Sequence, residues 1–227
     1  PLSMPALIWR LLSSRGFSSA EALQDLFSPS LKSLTHPFAI SGMDKAVDRL
    51  CRSFESNEDL CVYADFDLDG TSGAALLYEG LSLLGFKGHQ IVQPLRLSEG
   101  YGFHSHIVED LAGKGVKVIV TVDVGITAIE AVARANELGV DVILTDHHLP
   151  KETLPEAYVI LNPNKGDCSS EPNHLCGAGV AFYLLLALKI EMKKRGLLHF
   201  EPDLREILDC FVIGTLTDMV PLVAENR

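Results

Sequence analysis

Asp65, Asp67 and Asp69 occupy alternate positions in residues 61–84 (CVYADFDLDGTSGAALLYEGLSLL) and are followed by Gly70. Alternate residues of an extended chain point to one side, so a strictly extended run would gather the three carboxylates on one face. Like charges that close raise one another's pKa. A hard divalent cation removes that cost, and carboxylates are its preferred ligands. The plainer alternative is a polar turn after a strand, where Asp and Gly are common. A second cluster is Asp146-His147-His148. Adjacent side chains on an extended chain cannot point the same way, so one imidazole could ligate a metal while the other faces a substrate. An aspartate beside them could fix a ring tautomer. Asp218 lies in an otherwise apolar segment, where an unpaired carboxylate is expensive; it reads equally as a helix-end or turn residue.

The elements that would position these groups are short strands alternating with helices. From Leu60 onward, Leu60–Ala64 and residues 89–95, 116–122, 140–145 and 158–161 read as strands. Helices are expected to about residue 84, over 105–112 and 128–138, with Gly139 as a C-terminal stop, then over 177–195 and 204–216. Apolar strands that run continuously rather than alternating imply a mainly parallel sheet covered on both faces, an α/β fold. Such sheets bind ligands beyond the carboxyl ends of their strands. Four consecutive strand ends carry metal-type or phosphate-type groups. Asp65, Asp67 and Asp69 follow the first strand and Arg96 with Ser98-Glu99-Gly100-Tyr101-Gly102 the second. Asp123 and Gly125 follow the third, and Asp146-His147-His148 the fourth.

Ahead of this pattern the chain reads as helical from Pro5 to about Phe54, interrupted at Pro29 and Pro37. Ser18-x-x-Glu21 forms a capping-box pattern, and Met43, Val47, Leu50, Cys51 and Phe54 recur on one helical face. The expected division is an N-terminal helical cap over residues 1–56 and an α/β domain over 57–227. Pro1 cannot be a natural start, so Met4 or an upstream residue is expected to be.

The 227 residues suffice for one large core, and 47% hydrophobic with 22% charged residues is a soluble globular composition. No apolar run reaches membrane-spanning length, and no signal pattern opens the chain. Five cysteines without a CxxC pair favour free thiols and a reducing cytoplasm. Cys168, His174 and Cys176 offer three legs of a zinc site but no fourth ligand at a familiar spacing. A net charge of −11 argues against a surface coated for nucleic acid, although bound divalent cations would offset part of it.

Gly177-Ala178-Gly179 suggests a dinucleotide loop, but Phe182 takes the third glycine position and a loop rather than a strand precedes it. The small residues are better read as allowing close helix packing, or as turning backbone N–H groups toward a phosphate. No GxxxxGK[ST] sequence is present. Lys193-Lys194-Arg195 is most simply a helix C-terminus favouring cations.

Taken together, these motifs resemble the DHH phosphoesterase superfamily and, within it, the RecJ-type single-strand-specific exonucleases, over residues 7–227. The resemblance rests on Asp65-Phe66-Asp67-Leu68-Asp69-Gly70, Asp123-Val124-Gly125-Ile126 and Asp146-His147-His148-Leu149-Pro150. Glu99-Gly100-Tyr101-Gly102, Gly177–Phe182 and Gly214-Thr215-Leu216-Thr217-Asp218-Met219-Val220-Pro221 narrow it to the RecJ branch. It implies a five-stranded parallel sheet and a site for two Mn²⁺ or Mg²⁺ ions. Asp67, Asp69, Asp123, His147 and Asp218 would be the ligands, with Asp123 bridging; if Asp67 and Asp69 each reach a different metal, the aspartate run is a turn approaching a helix over residues 71–84 and not a flat strand. It further implies that Asp65 assists as ligand or outer acceptor, that His148 and Arg96 contact phosphate, and that Asp146 orients the histidines. Two metals about 3.5–4 Å apart can activate water and stabilise both oxygens of an in-line displacement. The reaction would be 5′→3′ hydrolysis of single-stranded DNA to 5′-mononucleotides in repair and recombination, with helicases or single-strand-binding proteins as candidate partners.

The family carries a DHH-associated domain and an OB-fold domain, and this chain is expected to lack both, which puts activity of the isolated chain in question. Leu95 replaces a residue that is often polar, and residues 169–174 lack an aromatic-proline pattern; both bear on substrate contacts. Two other readings stand beside this one. A DHH phosphatase or nanoRNase acting on short oligonucleotides or nucleoside bisphosphates tends to have a histidine near the positions of Cys61 and Tyr63. A degenerate DHH interaction platform would have lost ligands, yet every expected ligand position is filled.

Overall fold

Five short apolar runs supply the strands of the protein, whose computed structural model describes residues 4–28, 30–166 and 172–227. Pro1, Pro29, Cys168 and residues 169–171 of the expectations above lie outside these. The strands are β1 (Leu60–Ala64), β2 (His89–Val92), β3 (Val118–Val122), β4 (Asp141–Thr145) and β5 (Val159–Leu161). All pairings are parallel, in the order β2-β1-β3-β4-β5. Every residue of β1 and β3 is buried, which is why these strands read as unbroken apolar runs instead of alternating ones.

The order places β2 and β3 on opposite sides of β1, so the chain reverses its direction of sheet-building between β1 and β3. Open α/β sheets bind ligands at such a crevice. On one face α5 (Ser105–Gly113) and α6 (Ile129–Glu137) pack together over Cys61, Tyr63, Ile119, Val142 and Leu144, through Val108, Leu111, Val132 and Ala135. On the other face α4 (Leu68–Leu83) and α7 (Gly177–Lys194) lie against each other and against β3, with α3 (Met43–Ser56) beside α7 and α8 (Leu208–Thr217) beside α4.

Residues 36–226 form one compact unit that holds the whole sheet, including α3; residues 1–35 with Arg227 form a second. In the smaller unit are α1 (Ala6–Ser13) and α2 (Ala20–Phe27). The cap of α2 is Ser19, whose Oγ accepts the Ala22 N–H at 3.0 Å, not Ser18; with Ala22 three residues after the cap, the expected box does not form. Within the larger unit the helical periodicity places Met43, Val47, Leu50 and Cys51 in the core. Buried Arg49 on the same helix donates to Asp141 at the amino end of β4 and to Glu58 at 2.6 Å, fixing α3 against the sheet end remote from the ligand crevice. Among the described residues no helix is long and apolar enough to cross a membrane.

Several boundaries differ from expectation for identifiable reasons. β2 stops at Val92 rather than running to residue 95, because Pro94 has no N–H for the ladder and the next residues fold back, with Ser98 and Glu99 donating to the Leu95 carbonyl. Val116 closes the turn that follows α5, its N–H donating to the Leu111 carbonyl, and β3 begins two residues later. The expected helix over 204–216 divides into a 3₁₀ turn, Leu204–Ile207, and α8. Most consequential for the site, α4 starts at Leu68 instead of Thr71.

Candidate metal centre

Asp65, Asp123 and Asp146 each stand one residue beyond β1, β3 and β4, whose last residues are in register across the sheet. Each donates its backbone N–H to the last carbonyl of the neighbouring strand: Asp65 to Val122 (3.3 Å), Asp123 to Thr145 (3.1 Å) and Asp146 to Leu161 (3.1 Å). Neighbouring strands lie about 4.8 Å apart, so the ladder spaces three acidic residues at that interval along the carboxyl edge. All three are buried.

The aspartate triplet is not extended. Asp67 is the N-cap of α4, its Oδ1 accepting the Gly70 N–H at 2.8 Å, and Asp69 lies in the first helical turn. Asp69 is buried, and both its oxygens are held by the amino end of α7: Gly177 N–H donates to Oδ2 at 2.6 Å and Ala178 N–H to Oδ1 at 3.0 Å. The small-residue start of α7 therefore does turn its N–H groups toward an anion, but the anion is a carboxylate of the same chain, well placed at the positive end of a helix. Gly177 and Gly214 make the approach possible. A Cβ on Gly177 would stand 2.5 Å from that of Asp123, and one on Gly214 would stand 2.5 Å from Asp69 Oδ1.

Asp123 adopts φ +59°, a left-handed conformation uncommon outside glycine and tolerated best by Asn and Asp. This outlier sits at the reversal point of the sheet. His147 Nε2 lies 3.1 Å from Asp123 Oδ1 and 3.7 Å from both Asp69 Oδ2 and Asp218 Oδ2. Asp218 is the C-cap of α8. His147 Nε2, Asp123 Oδ1 and Asp65 Oδ1 are buried, yet none makes a hydrogen bond of proper geometry. Buried polar atoms are rarely left so, and three of them gathered in one place offer the lone pairs that a cation requires.

Asp146 is different, because its carboxylate is saturated. Oδ1 accepts from His147 N–H (2.8 Å), His148 N–H (3.0 Å) and His148 Nδ1 (2.7 Å), and Oδ2 accepts from Ile126 N–H (2.9 Å). With Nδ1 engaged, the half-exposed His148 ring has Nε2 left for an external group.

The electrostatics follow from burial of like charges. Burial pushes the pKa of Asp123 up to about 7, with contact to His147 opposing the rise and Asp69 adding to it. Burial likewise raises Asp65 and Asp218 above their ordinary values. For His147 burial acts downward, but Asp123, Asp218 and Asp69 together outweigh it and the net shift is upward. His148 is raised to about 9, chiefly by its hydrogen bond to Asp146.

Three donor groups, each with ligand atoms within 4.8 Å of one another, emerge from this arrangement: Asp65 with Asp67 and Asp123, Asp69 with His147 and Asp218, and Asp123 with His147 and His148. Asp123 and His147 each belong to two of the three. Hard oxygen donors with an imidazole fit Mn²⁺ or Mg²⁺, and the three orphaned atoms supply the fit within the structure itself. Among the described residues no thiol takes part: buried Cys176 at the start of α7 has its Sγ 3.8 Å from Thr215 Oγ1, and burial drives its pKa upward. His174 is exposed, and neither it nor Cys176 falls in a donor group among the described residues.

Arg96 is not drawn into the cluster. It stands exposed at the edge, its guanidinium 5.3 Å from the centroid of Phe66, the residue between Asp65 and Asp67. Gln93 carries no signal in the sequence, yet its Nε2 donates to the Asp65 carbonyl (2.6 Å) and to Thr71 Oγ1 (3.0 Å), bracing the turn from β1 into α4. Tyr101 of the Glu-Gly-Tyr-Gly segment stands edge-on to His148, ring centroids 6.3 Å apart.

Comparison with known proteins bears on the family and the fold. Residues 59–215 match the DHH family, N-terminal domain. The single-stranded-DNA-specific exonuclease RecJ of Salmonella typhimurium is 41% identical over 231 residues, spanning 100% of this chain but 39% of that protein. The chain thus covers well under half the length of that relative. A crystal structure of exonuclease RecJ bound to manganese superposes with a TM-score of 0.72 at 33% identity, over 85% of this chain and 47% of that one. RecJ in complex with Mn²⁺ from Thermus thermophilus gives 0.70 at 29% identity, over 100% of this chain and 33% of that one.

Proposed function

This chain belongs to the DHH family, and from that premise we propose that it is the catalytic domain of a metal-dependent exonuclease that hydrolyses single-stranded DNA from the 5′ end. The observation that carries the reading is the strand-edge cluster, with Asp69, Asp123 and Asp218 around His147 and three buried donor atoms left without hydrogen-bond partners.

In this reading Asp67, Asp69, Asp123, His147 and Asp218 would hold two Mn²⁺ or Mg²⁺ ions, and Asp123, which belongs to two donor groups, would be shared between them. Asp65 assists from beside Asp67. When bound, the ions supply activation of water and charge neutralisation at the phosphate. The chain's own residues do the rest. His148, held protonated at neutral pH by Asp146, presents a cationic Nε2–H donor to a phosphate oxygen. Asp146 fixes the tautomer and direction of that ring. Arg96 sits exposed beside Phe66 and contacts phosphate at the rim. Residues 57–227 act as the catalytic domain and residues 1–56 as its N-terminal helical segment, of which α3 is packed into the domain itself. The setting is cytoplasmic repair and recombination, alongside helicases or single-strand-binding proteins.

The test compares Mn²⁺-dependent release of mononucleotides from 5′-phosphorylated single-stranded DNA with release from duplex DNA and from a nucleoside bisphosphate. Digestion of the single strand alone is expected. Release from the bisphosphate but not the long single strand overturns the substrate assignment. No metal-dependent release from any of the three favours a non-enzymatic platform.

A further inference from the structure

The Asn162-Pro163-Asn164 turn after β5 lies beside the histidine pair. Asn162 is fully buried. Its Nδ2 donates to the His148 carbonyl at 2.9 Å, and its Oδ1 accepts the Asn164 N–H at 2.8 Å. The Asn164 Nδ2 donates in turn to the His147 carbonyl. The carbonyls of both histidines are therefore taken by side-chain amides from one turn.

The reason lies in the sheet. The ladder between β4 and β5 runs out with Asp146 N–H donating to the Leu161 carbonyl. Pro163, two residues on, has no N–H with which to continue it. The two asparagine amides take over where the backbone stops, so the segment carrying His147 and His148 is gripped beyond the last rung. On its other side the same segment is held by Asp146, which accepts both histidine N–H groups. Peptide planes on both sides of each imidazole are thus fixed, which sets the direction in which the ring leaves the chain.

We propose that Asn162 and Asn164 are positioning residues for the metal centre, an amide clamp that aims His147 at the site shared with Asp69, Asp123 and Asp218. Neither amide touches a candidate donor atom; both act through the backbone carbonyls of the ligand segment. The inference deepens the two-ion reading and rests on it for the identity of the ion. Outer partners that orient a metal-binding histidine are worth about 10–100-fold in metal affinity or activity.

The experiment uses the 227-residue chain and Asn164→Leu, which keeps the size of the half-buried side chain while removing its donor, with Asn164→Asp as an isostere that also lacks the donor. Asn136→Ala serves as control: it removes one amide-to-carbonyl bond of the same kind, to Glu156, on the far side of the domain. Two readouts are taken: Mn²⁺ affinity by electron paramagnetic resonance, and the imidazole ¹⁵N shifts of the metal-free chain. In both Asn164 variants Mn²⁺ binding is expected to weaken by about 10-fold or more and the His147 resonances to move, with far-ultraviolet circular dichroism unchanged and Asn136→Ala like wild type. Unaltered affinity and unaltered His147 shifts in both variants overturn the clamp. If wild type itself fails to bind Mn²⁺, the metal reading falls, and movement of the His147 resonances in the metal-free variants decides the clamp separately.

Discussion

Replacing Asp123 with asparagine should make the metal-free chain more stable at neutral pH while destroying its response to Mn²⁺. Asp123 is 1% exposed and lies among Asp69, Asp67 and His147. Its pKa is raised by burial from 3.8 to about 7. At 1.36 kcal/mol per unit this is on the order of 4 kcal/mol. The folded chain keeps the proton up to about pH 7, whereas the unfolded chain releases it near the ordinary carboxylate value. Between those limits the native state binds more protons, so stability falls as pH rises and the loss is complete above about pH 7. His147 is raised by the same carboxylate, so the difference between wild type and variant belongs to the pair. Asparagine is nearly isosteric, cannot ionise, and tolerates the left-handed backbone at this position. A domain of this size shifts by roughly 2–4 °C per kcal/mol, so a melting-temperature gap on the order of 10 °C is expected at about pH 8 in EDTA, closing toward about pH 4.5. Added Mn²⁺ should raise the wild-type melting temperature and leave Asp123→Asn unmoved. Parallel pH profiles for the two proteins, or equal stabilisation by Mn²⁺, would refute the reasoning.

Other perturbations separate the site from the scaffold. Gly177→Ala drives a methyl group to 2.5 Å from Asp123 Cβ; it should cost about 1–3 kcal/mol in urea unfolding and weaken Mn²⁺ binding. Arg49→Met leaves Glu58 and Asp141 without their partner at the opposite end of the sheet. Because both acids are partly exposed, the cost should be about 1–3 kcal/mol, with Mn²⁺ affinity unchanged. In the metal-free chain the His148 ring should titrate near pH 9 by NMR. Asp146→Asn, which removes the charge holding that proton, should bring it back toward the ordinary histidine range; an unmoved titration would dismiss Asp146 as its cause.

The sheet is readable in the sequence because buried parallel strands are unbroken apolar runs, and the polar residues that end them are conspicuous against that background. Asp65, Asp123 and Asp146 stand out by that contrast, and the register of the strands brings them side by side. The spacing of the triplet misleads, since period-two placement suggests a strand, whereas Asp67 caps a helix and Asp69 lies inside it. Nothing local shows that the N–H groups of Gly177 and Ala178 are satisfied by Asp69, more than a hundred residues earlier. The same holds for Gln93 beneath Asp65, and for the asparagine turn beneath the histidines. These are ordinary amides whose importance comes from which carbonyl they reach. Composition is informative in another way: a chain of net charge −11 with six of its aspartates gathered at the carboxyl edge of the sheet repels a phosphate backbone there unless cations intervene, which fits a site that depends on bound ions.

The most direct test of the account is where Mn²⁺ binds. In crystals of this chain grown with Mn²⁺, anomalous scattering is predicted to show two peaks at the carboxyl edge of the sheet, both within coordination distance of Asp123, with Asp67, Asp69, His147 and Asp218 completing the ligand set. No peak at that edge, or Mn²⁺ found only at exposed acidic residues elsewhere, would contradict it.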